Sequence, residues 1–240
     1  MENSDPGTLV ELLKQSVAAR PSTEVLRFKQ DKKWAGMTGE RLAERVRHVA
    51  LGLHELGIRK GDRIAILAES GPLWTISDYA ILSTGAVNVP IYPTQAPHQV
   101  EYILRESEPK VLFISTARQM KRVDSALNKF TDLRIVSFQP VANGENVTAF
   151  SELEANGARF DAGHPEAYEL ISSDVHPSDL ASVIYTSGTT GEPKGVLLTH
   201  SNIAFNTIAA GTFLGIEPGG VMLSFLPLSH IFERMVLYLC

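Results

Sequence analysis

Apolar positions along this chain change period several times, and each change marks an element. Leu9, Leu13 and Val17 recur at helical spacing behind Thr8-Leu9-Val10-Glu11, a capping-box pattern, and Pro21 ends that helix. Glu24 to Trp34 reads as a small hairpin turning at Asp31. The clearest helix follows: Leu42, Val46, Val49, Leu53 and Leu56 form one apolar stripe, and Gly57 is a fitting stop. Short β-branched runs then alternate with amphipathic segments. Strands are predicted over 63–67, 86–91, 111–114 and 133–136, and helices over 74–83, 99–106 and 117–130. Such alternation implies parallel strands joined by crossover helices, an α/β fold with helices on both faces of its parallel sheets.

The pattern loosens over 139–179, where only 151–154 and 166–171 suggest helix. A boundary is placed there, giving a first α/β subdomain with its flanking helix and hairpin over 1–175. The start of a second α/β subdomain then spans 176–240. That second part opens with an apolar strand, 180–185, and a polar loop. A short strand over 196–199, a helix capped at Ser201-Asn202 and a final helix over 231–239 follow.

Composition narrows the function classes. At 240 residues and 44% hydrophobic content the chain can bury a sizeable core. Its formal charge of −5, without a long basic run, gives no footprint for nucleic acid. The one cysteine, Cys240, rules out an intrachain disulfide or a cysteine metal cluster. The polar start MENSDPG lacks the basic and apolar regions of a secretory signal, so the Asn146-Val147-Thr148 sequon is read as chance. The most apolar stretch, 72–92, is broken by Asp78, Gly85 and Pro90 and reads as a buried helix and strand, not a membrane span. A soluble cytoplasmic protein is expected.

One segment carries chemistry. Thr186-Ser187-Gly188-Thr189-Thr190-Gly191-Glu192-Pro193-Lys194-Gly195 packs four hydroxyls, three glycines and a lysine into ten residues. Glycines let successive backbone N–H groups close on an anion, hydroxyls donate to phosphate oxygens or offer an oxygen to Mg²⁺, and the lysine adds charge. The loop is therefore a candidate polyphosphate cradle. It differs from a Walker A loop, because no Ser or Thr follows Lys194 and it lies between two strands. The bland alternative is a solvated Gly/Thr hairpin loop.

Tyr185 to Gly195 resembles the signature of the adenylate-forming ligases (AMP-binding enzymes), among them acyl-CoA synthetases, peptide-synthetase adenylation domains and firefly-type luciferases. Gly57-Ile-Arg-Lys-Gly-Asp62, Gly85-Ala-Val-Asn-Val-Pro90 and Leu226-Pro-Leu-Ser-His-Ile-Phe-Glu-Arg234 resemble further family motifs in the same order. The last is similar to the form in long-chain fatty acyl-CoA synthetases. The resemblance implies a fatty acid, ATP and coenzyme A as substrates, with Mg²⁺, and activation of the acid as acyl-adenylate. It places Thr186, Ser187, Gly188, Thr189, Thr190 and Gly191 around the β- and γ-phosphates, Lys194 as the neutralising charge and Thr189 as the Mg²⁺-contacting hydroxyl. It puts His230 beside the acyl carboxylate and the α-phosphate, so His230 and Lys194 are the catalytic candidates.

The other six histidines are read without a role: His48 and His54 as surface positions, His98, His164 and His176 as solvated, and His200 as structural. Glu233 and Arg234 are read as an ordinary exposed pair, and Trp34 and Trp74 as packing residues. The resemblance also implies elements this sequence lacks: a Tyr-Gly-x-Thr-Glu segment, a ribose-binding aspartate, and a mobile C-terminal domain with its lysine. An incomplete N-terminal domain, truncated and inactive alone, is expected. Two functions of different classes thus compete, an acyl-CoA ligase fragment and a non-catalytic polyphosphate- or partner-binding module. Peripheral membrane contact is left open, since a long-chain acid partitions into lipid, and no oligomeric state is read.

Overall fold

The computed structural model describes residues 6–140, 146–186, 192–216 and 219–239. Helix α1 (Leu9–Ala19) starts as its capping box requires: the Glu11 N–H donates to Thr8 Oγ1 at 3.1 Å, and the Thr8 N–H donates to Glu11 Oε2 at 2.7 Å. Strands β1 (Glu24–Gln30) and β2 (Lys33–Thr38) form a separate antiparallel hairpin that turns at Asp31-Lys32. Helix α2 (Gly39–Glu55) buries Leu42, Val46, Val49 and Leu53, and Gly57 follows it at φ 86°.

A seven-stranded sheet is the framework, in the order β7-β6-β5-β3-β4-β8-β9. Strands β3 (Arg63–Leu67), β4 (Val87–Ile91), β5 (Val111–Ile114), β6 (Arg134–Ser137), β7 (Val147–Ala149) and β8 (Leu180–Thr186) run parallel to their neighbours, and only β9 (Lys194–Thr199) is antiparallel. Both strands after residue 175 thus add to the sheet begun before it.

Alternation along the strands separates two cores. Ile64, Ile66, Val111, Phe113 and Val136 face one way, into a core shared with α1, α2, α3 (Pro72–Ser83) and α7 (Phe150–Gly163). Ala65, Leu67, Val89, Ile91, Leu112 and Ile114 face the other, against Val100, Ile103 and Leu104 of α4 (Pro97–Ser107). Each large apolar side chain so buried contributes about 1.5–3 kcal/mol. Central strands covered on both faces read as near-continuous apolar runs for this reason. The α/β fold with helices on both faces is the fold observed.

The elements differ from expectation in four places. The helix expected over 117–130 is two pieces, α5 (Ala117–Arg122) and α6 (Asp124–Leu127), with fully buried Val123 at the bend. Strand β7 was not expected at all. The two helical candidates after it are longer and shifted, as α7 and as α8 (Ala167–Ser173). Helix α9 (His200–Leu214) is capped by Thr199, whose Oγ1 accepts from the Asn202 N–H at 3.2 Å, not by Ser201-Asn202.

Helices α2 and α7 cross at Gly52 and Gly157. A Cβ on Gly157 would lie 1.7 Å from the His48 carbonyl oxygen, so the crossing tolerates no side chain there. Several large apolar side chains are exposed: Leu197 of β9, Phe205 and Phe213 of α9, and Val221, Leu223 and Phe225 beyond it. No helix among the described residues is long and apolar enough to cross a membrane.

Candidate functional site

Strand β8 leads into the candidate loop. Ser182 pairs with Asn88 of β4, and the strand ends at Thr186, directly opposite Lys194 of β9 in the antiparallel ladder. The polar loop is thus closed at its base by two of its own predicted ligands. Ser187, Gly188, Thr189, Thr190 and Gly191 lie outside the described residues; Thr186 and Lys194 are both exposed. Gly195 faces Tyr185 across the ladder, and a Cβ on it would meet Val183 Cγ1 at 2.9 Å, so glycine lets the hairpin close beneath the loop.

A cleft of about 920 Å³ runs along this hairpin toward α4. Lys194, Pro193 and Tyr185 line its loop end, Tyr102 and Glu106 of α4 one wall, and Lys60 and Asp179 its base. Lys60 Nζ lies 2.8 Å from Asp179 Oδ2, and this contact raises the lysine pKa against the opposing effect of burial. Burial likewise pushes the Tyr185 hydroxyl pKa up.

His230 stands outside that cleft. It caps α10 (Ile231–Tyr238), with Nδ1 accepting from the Phe232 N–H at 3.2 Å. Because Nδ1 accepts, the proton of the neutral ring sits on Nε2. The ring is exposed and packs edge-on against Tyr92, with centroids 6.5 Å apart. Tyr92 follows the last residue of β4, the strand beside β8. His230 and the polar loop therefore stand at the carboxyl ends of adjacent parallel strands, where open α/β sheets bind ligands.

The final motif holds a surprise behind His230. Arg234 and Glu233 are not an exposed pair: both are buried, at 0% and 2% exposure. Arg234 reaches Asp78 of α3 with two donors, Nη2 to Oδ1 at 2.7 Å and Nε to Oδ2 at 3.2 Å. Tyr238 donates its hydroxyl to Asp78 Oδ2 at 2.5 Å, Asn88 Nδ2 donates to Oδ1 at 2.6 Å, and Arg234 Nη1 donates to Ser182 Oγ at 2.9 Å. Burial opposes the charge on Arg234, but attraction to Asp78 outweighs it and holds the guanidinium pKa above its ordinary value. The sequence reading took Asp78 only as an interruption of an apolar stretch. Its partner lies 156 positions away, so no local spacing announces the pair.

The other single-residue expectations divide. His98, His164 and His176 are exposed, as read. His200 is structural: fully buried, its Nδ1 accepts from the Leu9 N–H at 3.4 Å, and burial lowers its pKa to about 4. Trp74 is a packing residue at 0% exposure, whereas Trp34 is 69% exposed on the hairpin, with Lys29 over its ring. Among the described residues, no group of three or more His, Cys, Asp or Glu is placed to hold a metal ion.

Comparison with known proteins agrees with this geometry. The model of the AMP-binding enzyme family matches residues 13–240. A long-chain-fatty-acid–CoA ligase of Mycobacterium tuberculosis is 37% identical over 205 residues, which cover 85% of this chain and 33% of the relative. A fatty acyl-CoA synthetase of Dictyostelium discoideum is 34% identical, with 87% of this chain and 31% of the relative covered. Among solved structures, a long-chain-fatty-acid–CoA ligase from Archaeoglobus fulgidus superposes at a TM-score of 0.80 with 22% identity, covering 97% of this chain and 44% of that one. The chain thus spans about a third of the length of the curated relatives it matches. With a family match over nearly all its length, the chain belongs to the AMP-binding enzymes.

Proposed function

We propose that this chain is the polyphosphate-binding portion of an ATP-dependent ligase that activates a long-chain fatty acid as its acyl-adenylate and passes it to coenzyme A. The observation that carries the reading is the Thr186–Lys194 ladder pair, which closes a Gly/Thr loop at the carboxyl end of the sheet, one strand from His230. The two curated relatives named above, both fatty acyl-CoA ligases or synthetases, support the acid.

In this reading Thr186, Ser187, Gly188, Thr189, Thr190 and Gly191 wrap the β- and γ-phosphates. Lys194 neutralises their charge, and the Thr189 hydroxyl contacts Mg²⁺. Attack of the carboxylate on the α-phosphorus expels pyrophosphate, a step that needs charge screening and in-line placement more than an acid–base pair. His230 offers its Nε2–H to oxygens gathered there, which stabilises charge developing on the α-phosphate.

A second reading, of a different class, is a non-catalytic polyphosphate-binding module. We expect the 240 residues alone to hold polyphosphate without completing the reaction. Calorimetric titration with ATP and with inorganic pyrophosphate, each with and without Mg²⁺, tests the shared part of both readings. Binding strengthened by Mg²⁺ is expected, and no binding of either ligand would overturn both.

A further inference from the structure

Helix α10 is held in an unusual way. It is only eight residues long, and its fully covered side chains are Glu233, Arg234 and Tyr238, while Ile231 and Leu237 are half-buried. A short helix owes its stability to packing, and an apolar face leaves some freedom to slide and rotate. A two-pronged guanidinium–carboxylate contact does not, because both donors must meet both oxygens at once. Arg234 lies one turn beyond His230, and its N–H donates to the His230 carbonyl at 3.2 Å. Fixing Arg234 about the helix axis therefore fixes the cap.

Strand β4 defines the place where the cap is held. Asn88, inside β4, donates to the same Asp78 carboxylate, while Tyr92, just past its end, packs against the His230 ring. Ser182 extends the network to β8, the strand that leads into the polar loop: its Oγ accepts from Arg234 and donates to the Asn88 carbonyl at 2.8 Å. One buried network around the Asp78–Arg234 pair thus ties the helix of His230 to the two strands whose ends form the candidate site.

We infer that Asp78, acting through Arg234, is a positioning residue that sets the His230 ring at the carboxyl ends of β4 and β8. Cohesion as such does not call for an ion pair, since buried ion pairs are often replaced by apolar residues without loss of stability. The inference about catalysis rests on the ligase reading; the inference about ring placement does not.

The test is ¹⁵N NMR of the histidine rings in the 240-residue chain, with His230 assigned by difference against His230→Gln. Three proteins are compared: wild type, Arg234→Lys, which keeps the charge but loses the fork, and the double variant Asp78→Leu/Arg234→Met. In wild type the neutral His230 ring should show one tautomer, protonated at Nε2. In both variants, folded by circular dichroism, its two nitrogens should move toward the average of a tautomer mixture. In the longest product of the gene, kcat for acid-dependent pyrophosphate exchange should fall about a hundredfold with KM for ATP unchanged. Folded variants with an unchanged His230 ring would overturn the inference, and so would failure of both variants to fold, which would make the pair a requirement of the fold. Loss of exchange in the wild type would sink the ligase reading alone and leave the ring result to stand.

Discussion

Thr186 and Lys194 face each other across the β8–β9 ladder, so the loop between them starts and ends at fixed points one strand spacing apart. That closure sets Lys194 at the foot of the loop, where the proposed function has its charge meet phosphate. Replacing it with Ala removes no buried surface, so stability should stay within about 0.5 kcal/mol of wild type. Its charge-assisted contact to phosphate should be lost, at about 1.5–3 kcal/mol, or roughly ten- to a hundredfold in ATP affinity. Calorimetry beside thermal melts separates the two effects, and a variant that binds ATP as wild type does would remove Lys194 from the site.

Arg234→Ala is a different case. It leaves the Asp78 carboxylate buried without its cation, which should destabilise the fold by about 3–5 kcal/mol. Denaturant unfolding of the single variant and of Asp78→Leu/Arg234→Met measures this directly. The double variant should recover most of the loss. Equal loss in both would mean that the cost comes from emptied volume, not from the stranded charge.

His200 makes the fold sensitive to acid. In the fold its ring stays neutral down to about pH 4. In the unfolded chain it takes up a proton below about 6.5. The unfolded state therefore binds more protons between these values, and stability falls as the pH drops through that window, being full above it. The loss amounts to roughly 3 kcal/mol. His200→Asn, whose side-chain oxygen can still accept from the Leu9 N–H, should lose less stability between neutral pH and the acid end of the window. Parallel losses in urea unfolding would show that His200 is not responsible.

Gly157→Ala should cost roughly 3 kcal/mol, because its Cβ would collide with the His48 carbonyl and push α7 off α2. Thermal unfolding reads this, and a variant as stable as wild type would mean that the two helices can separate without penalty.

The framework was legible because its signals are local. Residues 63–67 and 111–114 are strands with the expected bounds, since an apolar run of that length between turn residues has few other uses. The stripe of α2 and the capping box of α1 are likewise written within a few positions. The candidate loop was legible through its composition, and His230 through the motif around it. The Asp78–Arg234 pair was not, since an Asp in an apolar helix and an Arg in a Glu-Arg pair each have a plain local explanation. Only the sheet brings α3 and α10 together. Strand β7, three residues long, is set by pairing with β6 and carries no period of its own. Trp34 misled for the opposite reason: its hairpin stands apart from the sheet, and Lys29 shields one face of its ring while the rest meets solvent.

Acid-dependent exchange of labelled pyrophosphate into ATP tests the central claim most directly. It should be measured with Mg²⁺ in the longest product of the gene and in the 240 residues alone. Acetate, octanoate, palmitate and a few amino acids would serve as the acids, with Lys194→Ala and His230→Ala alongside. The account predicts exchange stimulated by palmitate in the longest product, and its loss in both variants. Exchange with amino acids or short acids only would contradict the long-chain substrate. No exchange with any acid, despite measurable ATP binding, would contradict the ligase itself and leave a polyphosphate-binding module.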